Sequence, residues 1–239
     1  MNSNEHVKGK GNFSTFDVLS IHKQINNHMK KIYFILAFAT AMLFASEASA
    51  QIGLGLGYNL FNSMQREEGQ KYGNELNGLF VEATYDFYFL EKLWGNLGVQ
   101  PGLRFSYAGS QDSAEMLGVL TKSSWAETYL DVPVFVKYSQ EFTDLGFFAF
   151  AGPVFSYGLS SNSKTSVNDV STKINVYEGD PEYSRFDLKL GVGVGVTGLD
   201  NFNVKVGYNF GMINRYTGNV RDLSYRTGVF YVGIGYFFD

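Results

Sequence analysis

The 239-residue chain contains no cysteine, so no disulfide can staple it. Its three histidines, His6, His22 and His28, all fall within the first 28 residues. Everything after them lacks the imidazole base that hydrolase and protease sites commonly use. The same shortage removes the usual ligands of a transition metal. The chain is therefore expected not to be an enzyme, with no catalytic residue, no cofactor and no metal ligand assigned. Basic charge is scarce as well: 23 acids face 19 bases, a formal charge of −4 at pH 7. That excess disfavours a nucleic-acid partner, which requires a basic face. Long hydrophobic runs are also missing. The longest, Ile32 to Phe44, has 13 residues, short of the ~20 that a spanning helix needs.

That short run has its own meaning. Lys30 and Lys31 precede it, and Ala48-Ser49-Ala50 follows it as a small-residue cleavage motif before Gln51. Residues 29–50 thus read as a secretory signal peptide cleaved after Ala50. Residues 1–28 are polar and aperiodic and read as a mis-assigned upstream extension, a genuine cytoplasmic extension being the alternative. Residues 51–239 form the exported domain.

Within it the stretch "GVGVGVTGLDNFNVKVGYNFG", Gly191 to Gly211, contains Gly193, Gly195 and Gly198 at the G-x-G-x-x-G spacing. That spacing marks a dinucleotide-binding turn only where a helix opens on it. Here glycine alternates with valine, the period of a strand, and the alternation continues past the motif. Eight strands follow from the pattern, at about 51–62, 77–90, 95–108, 125–139, 146–158, 183–198, 202–214 and 225–238. Most exceed the usual five or six residues of a globular strand and suit a tilted bilayer crossing. Connections after the second, fourth and sixth strands are short. Those after the first, third, fifth and seventh are long and polar, and the third of these has room for an extra hairpin. The expected fold is all-β: a transmembrane antiparallel up-and-down barrel of eight strands, with short periplasmic turns and long extracellular loops.

The two faces of each strand sharpen this reading. Val192, Val194 and Val196 lie opposite Gly191, Gly193 and Gly195, and charges consistently share the less apolar side. A basic residue facing lipid at mid-membrane costs roughly 2–4 kcal/mol, so the charges are expected to face the lumen. They are Glu82, Asp86, Glu127, Asp131 and Asp187, with Arg104, Lys137, Arg185, Lys189, Lys205 and Arg226. Acids and bases nearly balance, which favours a salt-bridge network in a filled lumen over a selective pore. The lumen glycines would make room for bulky neighbours. The fifth strand is apolar on both sides and cannot be oriented. Trp94, Tyr138, Tyr236 and Phe238 suggest one aromatic girdle, and Tyr107, Trp125, Tyr157, Tyr183 and Tyr225 the other. The loop acids Glu67, Glu68, Asp180 and Glu182 read as solvated charge rather than a calcium site.

The string "YLDVPVFVKY", Tyr129 to Tyr138, resembles the Y-[LI]-[DE]-[IV]-P-[LV]-x-x-K-Y strand of the PorT-like family of small outer-membrane β-barrels, with Tyr129, Asp131, Pro133, Lys137 and Tyr138 matching. "GLGLGYNL" and "PGLRFSY" fit the same family, and the resemblance spans 51–239. It implies the outer membrane of a Gram-negative cell. The member that names the family takes part in secreting surface and extracellular proteins. Pro133 cannot donate a ladder hydrogen bond and is expected at a bulge or distortion. The functional expectation is an integral outer-membrane barrel with a structural or interaction role and a side-chain-filled lumen. Its partners would be outer-membrane lipid and other envelope or secretion proteins. The alternatives are a component of protein secretion or envelope assembly and a small-solute pore.

Overall fold

Alternating side chains give long strands, and their pairing closes them into a ring. The computed structural model describes residues 50–67, 70–92, 95–116, 119–142, 145–167, 170–179, 183–198, 201–218 and 223–238. The upstream extension, the expected signal peptide except its last residue, Ala50, and Trp94, Glu68, Asp180 and Glu182 lie outside them. The described elements are β1 (Ala50–Glu67), β2 (Gln70–Lys92), β3 (Gly95–Met116), β4 (Val119–Glu141), β5 (Gly146–Val167), β6 (Val170–Asn175), the single turn α1 (Val176–Gly179), β7 (Phe186–Thr197), β8 (Phe202–Gly211) and β9 (Ser224–Phe238). Each of β1 to β5 is antiparallel to the next, β5 pairs with β7, β7 with β8, β8 with β9, and β9 returns to β1. Eight strands therefore form a continuous ring, the arrangement expected, whose interior is just wide enough for side chains to fill. β6 stands outside the ring as the returning arm of a hairpin on β5.

The strands run further than alternation alone indicated. β2 and β4 have 23 residues each, and β3 and β5 have 22 each. The segments expected as long loops continue the ladders instead, up to Glu67↔Gln70, Met116↔Val119 and Val167↔Val170. Ser110 to Glu115 shows why pattern missed this: its residues are polar or small, and Gln111 to Glu115 are all exposed. No buried face imposes alternation there, and backbone hydrogen bonding alone carries the strand.

Lower down, burial follows the alternation of the side chains along most of each strand. Leu79, Val81, Leu103, Phe105, Val136, Val194, Val204 and Ile234 are exposed outward, and Glu82, Arg104, Asp131, Lys137, Lys189 and Lys205 are buried inward. In a soluble protein this would be inside out. In a bilayer it puts the apolar surface against lipid and the charges out of it. β5 takes its orientation from its neighbours: Phe148, Phe150, Val154 and Ser156 point in, and Phe147, Phe155 and Tyr157 point out.

Pro133 interrupts its ladders without shifting them. Pairing between β3 and β4 resumes from Pro101↔Val134 to Arg104↔Asp131 in the same register. The register shifts lie elsewhere, between Thr128 and Tyr129 on β4 and between Tyr88 and Leu90 on β2. At one short turn Asn201 adopts φ 62°, in the left-handed region that asparagine tolerates. The aromatic girdles are partly as expected: Tyr107, Tyr138, Tyr157 and Phe238 are exposed outward. Trp125, Tyr183 and Tyr225 instead line a cavity within the mouth of the barrel. For Trp125 and Tyr225 strand parity gives the reason, since they share the inward face with Glu127 and Thr227.

Candidate functional site

The interior is the site, and it is organised by register. Glu82 on β2, Arg104 on β3, Asp131 on β4, Ser156 on β5 and Asp187 on β7 are successive cross-strand partners, forming one row around the wall. Arg104 makes a salt bridge of 2.8 Å to Glu82, whose other oxygen pairs with Lys205 from β8 across the lumen. Lys189 lies 3.8 Å from Asp131 and 3.7 Å from Asp187, and it donates a 2.7 Å hydrogen bond to Ser156, which donates to Asp131. Toward the short turns Lys137 pairs with Asp86 at 2.6 Å, and Gln100 donates to the second Asp86 oxygen at 2.6 Å. An isolated buried charge would be prohibitive, and here each ion has an opposite charge or several donors around it.

Two expected lumen charges lie elsewhere. Arg226 is exposed, because on β9 the inward residues are Thr227, Val229 and Tyr231, and Arg226 falls on the opposite parity. Arg185 lies just before β7, half-buried, where it donates to the Leu159 carbonyl at 3.4 Å and sits 4.9 Å from the Tyr177 ring. It does not join the central network. Of the family-motif residues, Tyr129, Asp131, Pro133 and Lys137 face inward, and Tyr138 faces out.

Aromatic rings fill the remaining space, and glycines receive them. Phe80 is the cross-strand partner of Gly57, Phe148 of Gly195, Phe150 of Gly193, and Tyr231 of Gly207. A Cβ at Gly193 or Gly195 would collide with the tip of the opposing phenyl ring. This is the room-making expected of the glycines, now with its occupants named. The rings are not evenly rooted. Phe80, Phe135, Phe148 and Phe150 spring from β2, β4 and β5, and they lie over Gly191, Gly193 and Gly195 of β7 and Gly57 of β1. The guanidinium of Arg104 lies 4.5 Å from the Phe80 ring and 4.2 Å from that of Tyr231, so charge and aromatic layers are fused.

Above this plug is a layer that the pattern did not reveal. Arg215, one residue past the expected end of its strand, is buried to 2% exposure. It donates to the Tyr129 hydroxyl at 2.9 Å, to that of Tyr177 at 2.7 Å, and to the Ser184 carbonyl at 3.2 Å. Burial works against its charge, but Tyr129, Tyr177 and Glu127 outweigh burial and hold the guanidinium more firmly protonated than usual. Tyr129 passes the interaction on by donating to Glu127, which also accepts from Trp125 at 3.2 Å and Ser161 at 3.1 Å. The signal was present: inward residues on β8 are odd-numbered, and carrying that parity past Gly211 leads to Arg215.

Over Arg215 and Glu127 opens a cavity of about 400 Å³, lined by Trp125, Tyr177, Tyr183, Tyr225 and several serines. Among the described residues no group of three or more His, Cys, Asp or Glu is placed to hold a metal ion.

Comparison with known proteins places this architecture. No curated protein matches the sequence. The attachment invasion locus protein Ail of Yersinia pestis, solved with the heparin analogue sucrose octasulfate, is similar at 16% identity over 79% of this chain and 99% of that one, with a TM-score of 0.43. OprG of Pseudomonas aeruginosa is similar at 14% identity over 80% and 96%, TM-score 0.38. The outer membrane protease OmpT of Escherichia coli is similar at 12% identity over 79% and 96%, TM-score 0.36. Residues 40–217 match the family described as outer membrane protein beta-barrel domain. By that match the chain belongs to the outer membrane protein beta-barrel domain family and is a protein of the outer membrane.

Proposed function

We propose that this barrel is a closed, non-catalytic scaffold that presents its long hairpins outside the cell, its interior serving as a structural core. The observation that carries this reading is the filled cross-section. Glu82, Arg104 and Lys205 meet in mid-lumen, with Phe80 and Tyr231 packed on the guanidinium. A conducting pore needs a water-filled path, and eight strands leave little beyond the volume of their own side chains. The absence of histidine beyond residue 28 supports the non-catalytic part, since the commonest general base is missing from every described residue. The outward apolar belt suits lipid as its partner. The hairpins on β1–β2, β3–β4 and β5–β6 suit contact with other envelope proteins or with material at the cell surface.

The test is conductance. Purified, refolded protein in planar bilayers should show no current above the detergent control. A steady ohmic conductance would overturn the closed-lumen reading in favour of a small-solute pore.

A second reading, a component of protein secretion or envelope assembly, is favoured by the Tyr129–Tyr138 string and its resemblance to PorT-like barrels. Comparing secreted and surface proteins from cells with and without the gene separates the two. Selective loss of exported proteins supports secretion, and an unchanged set supports the scaffold.

A further inference from the structure

The mouth cavity has features that a structural plug does not require. Trp125 on β4 has Ser110 on β3 and Ser163 on β5 as its direct cross-strand partners. Both neighbours are small, so neither covers the indole. One side of Trp125 packs against the cluster of Phe61, Leu76 and Tyr129, and the residue also lines the cavity. One step toward the hairpin tip Asp112 stands opposite Ser123, and both line the same cavity. Tyr183 and Tyr225 form the other wall, their rings edge to face at 5.6 Å.

The charges at the floor are already engaged. Glu127 accepts from Trp125, Tyr129 and Ser161. Arg215 donates to Tyr129, Tyr177, Thr227 and the Ser184 carbonyl. A ligand above them gains little by carrying charge of its own, and Asp112 at the rim opposes an anion. What the cavity still offers is aromatic surface and hydroxyl groups: among the described residues, Ser110, Ser123 and Ser163 make no side-chain hydrogen bond. Each hydroxyl can both donate and accept. The complementary molecule has apolar ring faces, a rim of hydroxyls and no negative charge. The volume of about 400 Å³ falls within the range of small-ligand sites, about 300–1,000 Å³.

We propose that the mouth cavity is a binding site for a neutral saccharide of one or two rings, stacked on Trp125 and hydrogen-bonded by the serines on either side of it. This deepens the scaffold reading and rests on it, because it names what the outer mouth holds while the lumen below stays closed.

The test uses the folded, full-length exported chain in detergent micelles on an array of neutral, sialylated and sulfated oligosaccharides. Neutral glycans should be retained. Replacing Trp94 with Phe leaves Trp125 as the sole tryptophan, so its fluorescence then reports titration with the retained sugars. Trp125→Ala, read by retention on the array, should weaken binding at least tenfold. Ser110→Leu, which covers the indole and fills the cavity while leaving Trp125 in place, should do the same while the gel migration of the folded barrel is unchanged. Titrating free disaccharides beside the isolated envelope polysaccharide distinguishes two sources of one chemistry. Binding by either supports the site, and the tighter one names its source. Retention of sulfated glycans alone, no neutral glycan retained, or full binding by Ser110→Leu would each overturn it. The bilayer experiment on the same preparation keeps the two readings apart. A silent array with a non-conducting barrel removes only the sugar site, and a conducting barrel removes the scaffold reading.

Discussion

At the scale of single residues, the interior is governed by pairs of unequal size. Gly191 shows it most simply. A Cβ there would stand 2.6 Å from the Asn209 Oδ1 and 2.7 Å from the Phe135 ring, and the nearest atoms are all side-chain atoms. Overpacking of this kind costs about 1–3 kcal/mol, so Gly191→Ala should lower the urea unfolding midpoint. Phe135→Leu should relieve part of that strain. In a double-mutant cycle the pair should couple by more than about 0.5 kcal/mol, with the double variant more stable than the sum of the singles. Strict additivity would mean that the ring is not what the glycine accommodates. The same pairing explains what could be read in advance. Gly191, Gly193 and Gly195 announce by their alternation that a strand face must stay small. They do not say which ring arrives there, because Phe148 and Phe150 sit in a strand that is apolar on both sides. Arg215 was hidden for another reason: it lies past the end of the β8 ladder, where the odd-numbered parity continues inward without an alternating apolar partner to announce it.

At the scale of elements, two physical regimes share the same strands. Across the bilayer every ring strand has one lipid-facing and one interior face, so a slip of one residue would expose several charges together, and the register is strongly fixed. This is why the crossing segments were legible in the sequence. Above it, β3, β4, β5 and β6 continue as a polar sheet with little buried on either side, and hydrophobic pattern carries no information there. The hairpin of β5 and β6 should therefore be dispensable for folding. Replacing residues 164–173 with a short turn keeps Ser161, Ser163 and Tyr177 in place. The shortened protein should retain the unfolding free energy of the parent within about 0.5 kcal/mol, as surface changes away from the core generally do. Failure of this variant to assemble would show that the arm contributes to the barrel itself.

At the scale of the whole molecule, stability belongs to the closed ring. β1 meets β9, the strands furthest apart in sequence, and no ladder edge is left within the bilayer. Such a structure resists detergent until heated. Folded protein should migrate differently on a gel before and after boiling, and identical migration would argue against a stable ring. The interior charges belong to this scale too. Glu82 answers residues from β3 and β8, so it has both partners only when strands from each half of the chain are in place.

The uneven rooting of the interior rings has a practical outcome. The inward glycines of β7 and β1 ask only that their own positions remain small, whereas Phe80, Phe135, Phe148 and Phe150 on the facing half supply most rings of the central cluster, which Tyr231 of β9 completes. Whoever wished to bore this stopper into a conduit would begin in one half of the gene and still have Lys189, Lys205 and Tyr231 to clear from the other.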